Sequence, residues 1–185
     1  MRPFALVLTW TCYGTWLPGD FRGYVSNTYD AKLGYLPRQN SPGTPYTAND
    51  PVTLKRAQEA QKHESYLLDE PSAGIAATAL ISACTKRNWQ LARSALMFNH
   101  AHVVVMECPN DGPGVRRILK GNSQAALNDA EGITRRRWTA GGCDRYLNDW
   151  PAIGSVNSYV EQQEGILVRI ANNQIVTTWP SEPPG

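Results

Sequence analysis

The chain has 185 residues, 42% of them hydrophobic and 18% charged, which fits one ordinary folded domain. A net charge of +2 with apolar residues spread throughout excludes disorder, and a chain of this length buries roughly 70% of its unfolded surface without needing disulfides or a metal. The apolar opening at 4–8 falls far short of the ~20 residues of a membrane span, and no small-residue cleavage site follows it, so the chain reads as cytoplasmic with no membrane partner.

Residues 4–11 are apolar and β-branched and predict a buried strand. From about 19 to 51 the chain is punctuated by glycine and proline, which predicts a loop-rich insertion. Asp50-Pro51 reads as the N-cap and first position of a helix running to about Leu68. A second helix is predicted from about Ser72, as its cap, to Asn88, with Ile75, Ala79, Leu80 and Ala83 at helical spacing. Strands follow at 91–98 and 101–107. A third helix starts at Pro113 and ends near Asn128, with Val115, Ile118, Leu119 and Leu127 inward and its basic side chains outward. A strand at 138–147, broken by Gly141-Gly142, precedes a last helix that opens at Asp149 or Pro151 and stops before Gly165. Residues 166–185 form a C-terminal extension, with one or two strands before a frayed tail at 180–185. Strands separated by helices, with one hairpin in the middle, predict an α+β domain: an antiparallel sheet with helices packed on it.

The cysteines and the charge pattern narrow the chemistry. Cys12, Cys84, Cys108 and Cys143 form no CxxC pair, which fits four unrelated thiols in a reducing compartment. Between 115 and 145 lie Arg116, Arg117, Lys120, Arg135, Arg136, Arg137 and Arg145 against three carboxylates, a local charge of +4 that leaves the remainder at −2. A basic segment on an otherwise acidic chain suits a polyanionic partner, because phosphate contacts supply most non-specific nucleic-acid affinity. A solvated helix face would give the same pattern.

The sharpest local feature is Asn99-His100-Ala101-His102, leading into three valines. Side chains alternate across a strand, so His100 and His102 share a face and can bind one cation together. The chain has only three histidines, and two of them fall at this spacing. A third ligand must come from elsewhere, and the last helix offers Tyr159 and Gln163 at i and i+4. A phenol beside a cation can attack a phosphodiester, while Gln163 can supply a neutral oxygen donor. Tyr146, beside Arg145, is the rival nucleophile.

A hydrophobic residue flanked by histidines on a strand, then a basic helix, then a helix with tyrosine and an amide one turn on, resembles the single-tyrosine HUH transposases of insertion sequences and of repetitive palindromes. The segment from Thr9 to Asp20 and Trp138-Thr139-Ala140-Gly141-Gly142 are similar to one branch of that family. The resemblance runs from about residue 4 to 165. It implies a ferredoxin-like α+β core acting on single-stranded DNA, often beside a hairpin. His100, His102 and Gln163 would then be metal ligands for Mg²⁺ or Mn²⁺, and Tyr159 the nucleophile that forms a covalent 5′-phosphotyrosine. Arg116, Lys120, Arg136 and Arg145 would contact DNA. Insertion-sequence members are dimers that can exchange tyrosine helices, so a homodimer is expected, with a monomer the alternative. The competing functions are a domesticated hairpin-binding protein without cleavage and a phosphodiesterase using water as nucleophile.

Overall fold

The computed structural model describes residues 4–20, 29–30, 34–35 and 50–180. In chain order the elements are β1 (Ala5–Thr11), β2 (Tyr29–Asp30), β3 (Gly34–Tyr35), α1 (Pro51–Glu59), α2 (Glu70–Thr85) and β4 (Gln90–Met97). There follow β5 (His100–Met106), α3 (Gly112–Glu131), β6 (Cys143–Leu147), α4 (Trp150–Glu161), β7 (Ile166–Ala171) and β8 (Gln174–Val176). Six strands form one antiparallel sheet in the order β6-β1-β5-β4-β7-β8, and β2 and β3 pair separately. With α2 between β1 and β4, and α3 between β5 and β6, the order β6-β1-β5-β4 is the split arrangement of a ferredoxin-like core. The hairpin β7–β8 widens the sheet beyond β4. The expected α+β architecture is therefore present. Among the described residues, no helix is long and apolar enough to cross a membrane.

Several boundaries differ from expectation for local reasons. Asp50 caps α1 by accepting the N–H groups of Val52 and Thr53, but the helix stops at Glu59 and not near Leu68. Residues 61–65 offer no apolar stripe, and beyond them the backbone runs extended. The Tyr66 N–H donates to the Tyr13 carbonyl and that of Leu68 to the Phe98 carbonyl, so Tyr66 and Leu68, two apart, both reach the core. Asp69 caps α2, and Ser72 sits at its third position to complete a capping box, although Ser72 reads as the cap in sequence. The α2 stripe is also rotated: Ala73, Ala76, Ala77, Leu80, Ala83 and Cys84 are buried, while Ile75 and Ala79 are partly exposed. α3 runs on to Glu131 and ends on Gly132, whose φ of 65° suits a residue without a Cβ. β6 spans only 143–147, and Trp138 meets the sheet through an isolated bridge to Cys12. Most of the glycine- and proline-rich segment at 19–51, and the tail from 181, lie outside the described residues.

Strand alternation sorts the core into two layers. Leu6, Leu8 and Trp10 of β1 and Ala101, Val103 and Val105 of β5 pack with α2 and α3. Their neighbours Ala5, Val7 and Val104 face the other way, onto Ile153, Val156 and Val160 of α4. Each such leucine, isoleucine or valine contributes about 1.5–3 kcal/mol through burial, and Ile153, Val156 and Val160 hold α4 on the face opposite α2 and α3.

Candidate active site

His100 and His102 have the same parity as Val104 on β5, so both imidazoles lie on the α4 face. His102 is 7% exposed. It is directly opposite Thr9 of β1, whose Oγ1 lies 2.8 Å from His102 Nδ1. His100 Nδ1 lies 2.6 Å from Oδ1 of Asn99, in the turn before β5. The two rings stand perpendicular with centroids 4.9 Å apart. Burial, with a smaller contribution from neighbouring His100, lowers the His102 pKa to about 4 and keeps its imidazole neutral at neutral pH.

Tyr159 arrives from the last turn of α4. Asp149 caps that helix by accepting the Ala152 N–H at 2.7 Å, and Pro151 fits its first turn. Val160 is fully buried against the sheet. Tyr159 therefore projects to the flank, about 100° around the helix. Its ring meets that of His102 edge-on, with centroids 5.3 Å apart, and it stays 52% exposed. The structure thus brings His100, His102 and Tyr159 together within one chain.

Gln163 is not placed on the helix as its spacing suggests. α4 ends at Glu161 with Gln162 as its cap, so Gln163 lies beyond the helix. Its Nε2 donates to the backbone carbonyl of Tyr159 at 3.0 Å, leaving Oε1 as the side-chain atom for a ligand. Tyr146 belongs elsewhere. It pairs with Leu6 and so faces α3, its hydroxyl accepts the Gly112 N–H at 3.1 Å, and its ring packs on Phe4. The rival nucleophile lies on the wrong side of the sheet.

The histidine pair fits a cation. Each Nδ1 is held by a hydrogen bond to a neighbouring oxygen, the pattern by which a histidine is oriented to ligate through Nε2. The neutral form of His102 is also the ligating form. Among the described residues no group of three or more His, Cys, Asp or Glu side chains could hold a metal, so a third donor from among them must be of another type.

The basic residues divide between the two faces. Arg116 forms a two-pronged ion pair with Asp144, Nε to Oδ1 at 2.6 Å and a terminal nitrogen to Oδ2 at 2.9 Å. Lys120 Nζ donates to the carbonyls of Thr139 and Gly141. Burial first, then the charges of Arg116 and Arg136, lower its pKa to about 8. Neither side chain points straight outward as expected; both fold onto the strap at 139–144. Exposed Arg136 stacks over Tyr13, with its guanidinium carbon 5.8 Å from the ring centre. With Arg117, these residues line a groove of about 370 Å³ on the α3 side, away from the histidines. Arg145 pairs with Val7 and lies exposed on the histidine face, and among the described residues it makes no ion pair.

Thr9 and Asn99 have no marked signature in sequence. Asn99 adjoins the histidine motif, but the role of Thr9 emerges only from the β1–β5 register.

No family model matches the chain, and no curated protein matches it. Among solved structures, the chain matches a REP-associated tyrosine transposase bound to a REP hairpin, with a TM-score of 0.45 and 11% sequence identity. The match covers 87% of this chain and 66% of that one, so the chain spans about two thirds of that protein's length.

Proposed function

We propose that the chain is a single-stranded DNA nickase and strand transferase that works through a covalent 5′-phosphotyrosine. The observation that carries this reading is the edge-on contact of the Tyr159 ring with His102, 5.3 Å between centroids, beside a second histidine and open to solvent.

In this mechanism His100 and His102 would hold a divalent cation, Mg²⁺ or Mn²⁺, with Gln163 as the third donor. The cation, when bound, supplies positive charge at a non-bridging phosphate oxygen. Tyr159 presents its phenol to the phosphorus of the scissile phosphodiester. The phenolic oxygen forms the new O–P bond, the bond from phosphorus to O3′ breaks, and the phenolic proton passes to water while O3′ takes one up. Arg145, on the same face, neutralises a neighbouring phosphate, and the α3 groove with Arg116, Lys120 and Arg136 receives a more distant stretch of DNA, such as a hairpin stem. Reversal of the attack by a different 3′-hydroxyl joins strands.

Incubation with Mn²⁺ and an oligonucleotide labelled at its 3′ end tests the reading. The label should become covalently attached to protein, whereas a 5′ label should leave on a fragment ending in a 3′-hydroxyl. Binding without attachment would instead support a hairpin-binding protein, and hydrolysis without attachment a water-using phosphodiesterase.

A further inference from the structure

The helix that carries Tyr159 is gripped at its last residue from two directions. Arg93 of β4 is 5% exposed, and its Nε donates to Oε1 of Glu161 at 2.7 Å. Its two terminal nitrogens donate to the carbonyls of Ala92 and Pro180. From the segment after β8, Trp179 Nε1 donates to the backbone carbonyl of Glu161 at 3.3 Å, one of the carbonyls a helix end leaves without an internal partner. Arg169 of β7 lies over the Trp179 ring at 6.0 Å and closes the assembly.

Arg93 reaches this face because β4 is irregular. The register shifts between Leu91 and Arg93, so Arg93 pairs with Val104 on the α4 face while Leu91 packs in the opposite layer. Without the bulge the two residues would share a face. A charged side chain is buried at this point of the sheet because the bulge aims it at Glu161.

Three successive residues then define the rotation of α4. Val160 points down into the sheet, Tyr159 to the flank over His102, and Glu161 to the opposite flank over Arg93, at steps of about 100°. Fixing Glu161 fixes the direction of Tyr159. We propose that Arg93, Glu161 and Trp179 form a clamp that locks α4 in place, so that Tyr159 serves the histidines of its own chain. Arg93 and Glu161 are positioning residues in this scheme. Withdrawing α4 strands a buried guanidinium until the α4 of a second copy, with the same carboxylate, takes its place, so exchange must first break this ion pair. The catalytic consequence rests on the phosphotyrosine reading; the clamp itself does not.

Two measurements test it. Hydrogen exchange followed by mass spectrometry on Glu161→Gln should show amides at 158–162 exchanging at least tenfold faster than in the unaltered chain, with the sheet unchanged. Equal protection would overturn the clamp. The same variant should form covalent adduct at least tenfold more slowly at saturating DNA, with unchanged DNA affinity, since a misplacement of about 1 Å can cost about 100-fold. A mixture of His102→Ala and Tyr159→Phe chains should form no adduct at any protein concentration, whereas adduct in that mixture would show helices passing between copies and overturn the proposal. If the unaltered chain forms no adduct, the functional reading falls and the exchange measurement alone decides the clamp.

Discussion

Thr9 Oγ1 lies 2.8 Å from Nδ1 of His102, and the two residues are direct partners across β1 and β5. The strand pairing that builds the core therefore also fixes the orientation of one imidazole. Thr9→Val keeps the shape and removes the hydroxyl. Loss of such a supporting bond typically weakens metal binding by about 10–100-fold, so the affinity for Mn²⁺ measured by calorimetry should fall by that factor. Thermal stability should change little, because Thr9 is half-buried at the rim of the site. Unaltered Mn²⁺ affinity would remove Thr9 from the site.

Arg145 and Arg116 are alike in charge and different in commitment. Arg145 is exposed without an ion pair among the described residues, whereas Arg116 is tied to Asp144 with their side chains only 13% and 12% exposed. Arg145→Gln should reduce the slope of log affinity against log salt for single-stranded DNA by about 0.7, the value of one phosphate contact. Arg116→Gln should change that slope less, and should lower stability to urea by about 3 kcal/mol by leaving Asp144 unpaired. Equal slopes for the two variants would contradict the difference in commitment between the two arginines.

Lys120 gives the fold a pH signature. Its pKa is lowered from 10.5 to about 8 by burial, reinforced by Arg116 and Arg136. Between those two values the unfolded chain holds a proton that the folded chain has released, so folding is favoured as pH rises through this window. The burial penalty is fully present below about 8 and is relieved by 10.5. Urea unfolding of the unaltered chain, compared with Lys120→Gln, should show a relative gain in stability from pH 8 to 10.5 of no more than about 3 kcal/mol. A relative loss would contradict the assigned environment.

What the sequence made legible was whatever depends on local periodicity. The histidine pair follows from two-residue alternation on one strand, whereas i, i+4 spacing singles out Tyr159 without fixing its place on the flank of α4 beside His102. Gln163 is harder, because α4 ends at Glu161, two residues before it, where the last helical residue meets Arg93 and Trp179 from distant parts of the sequence. The i, i+4 spacing therefore described a helix that had already stopped. Arg116 and Lys120 read as outward-facing because nothing local announces that the strap at 139–144 folds over α3. Arg93 was hidden for a related reason: a bulge reverses its face, and alternation alone assigns it to the other layer. Tyr146 looked a fair rival until the register of β6 on β1 turned it away from the histidines.

The most direct test is to locate the DNA on the protein. The 3′-labelled adduct formed with Mn²⁺ would be digested with trypsin and nuclease, and the residual nucleotide mapped by mass spectrometry. The expected result is a 5′-phosphonucleotide on the Tyr159 phenol, and no adduct from Tyr159→Phe. A nucleotide on Tyr146 or any other residue, or an undiminished adduct from Tyr159→Phe, would contradict the account.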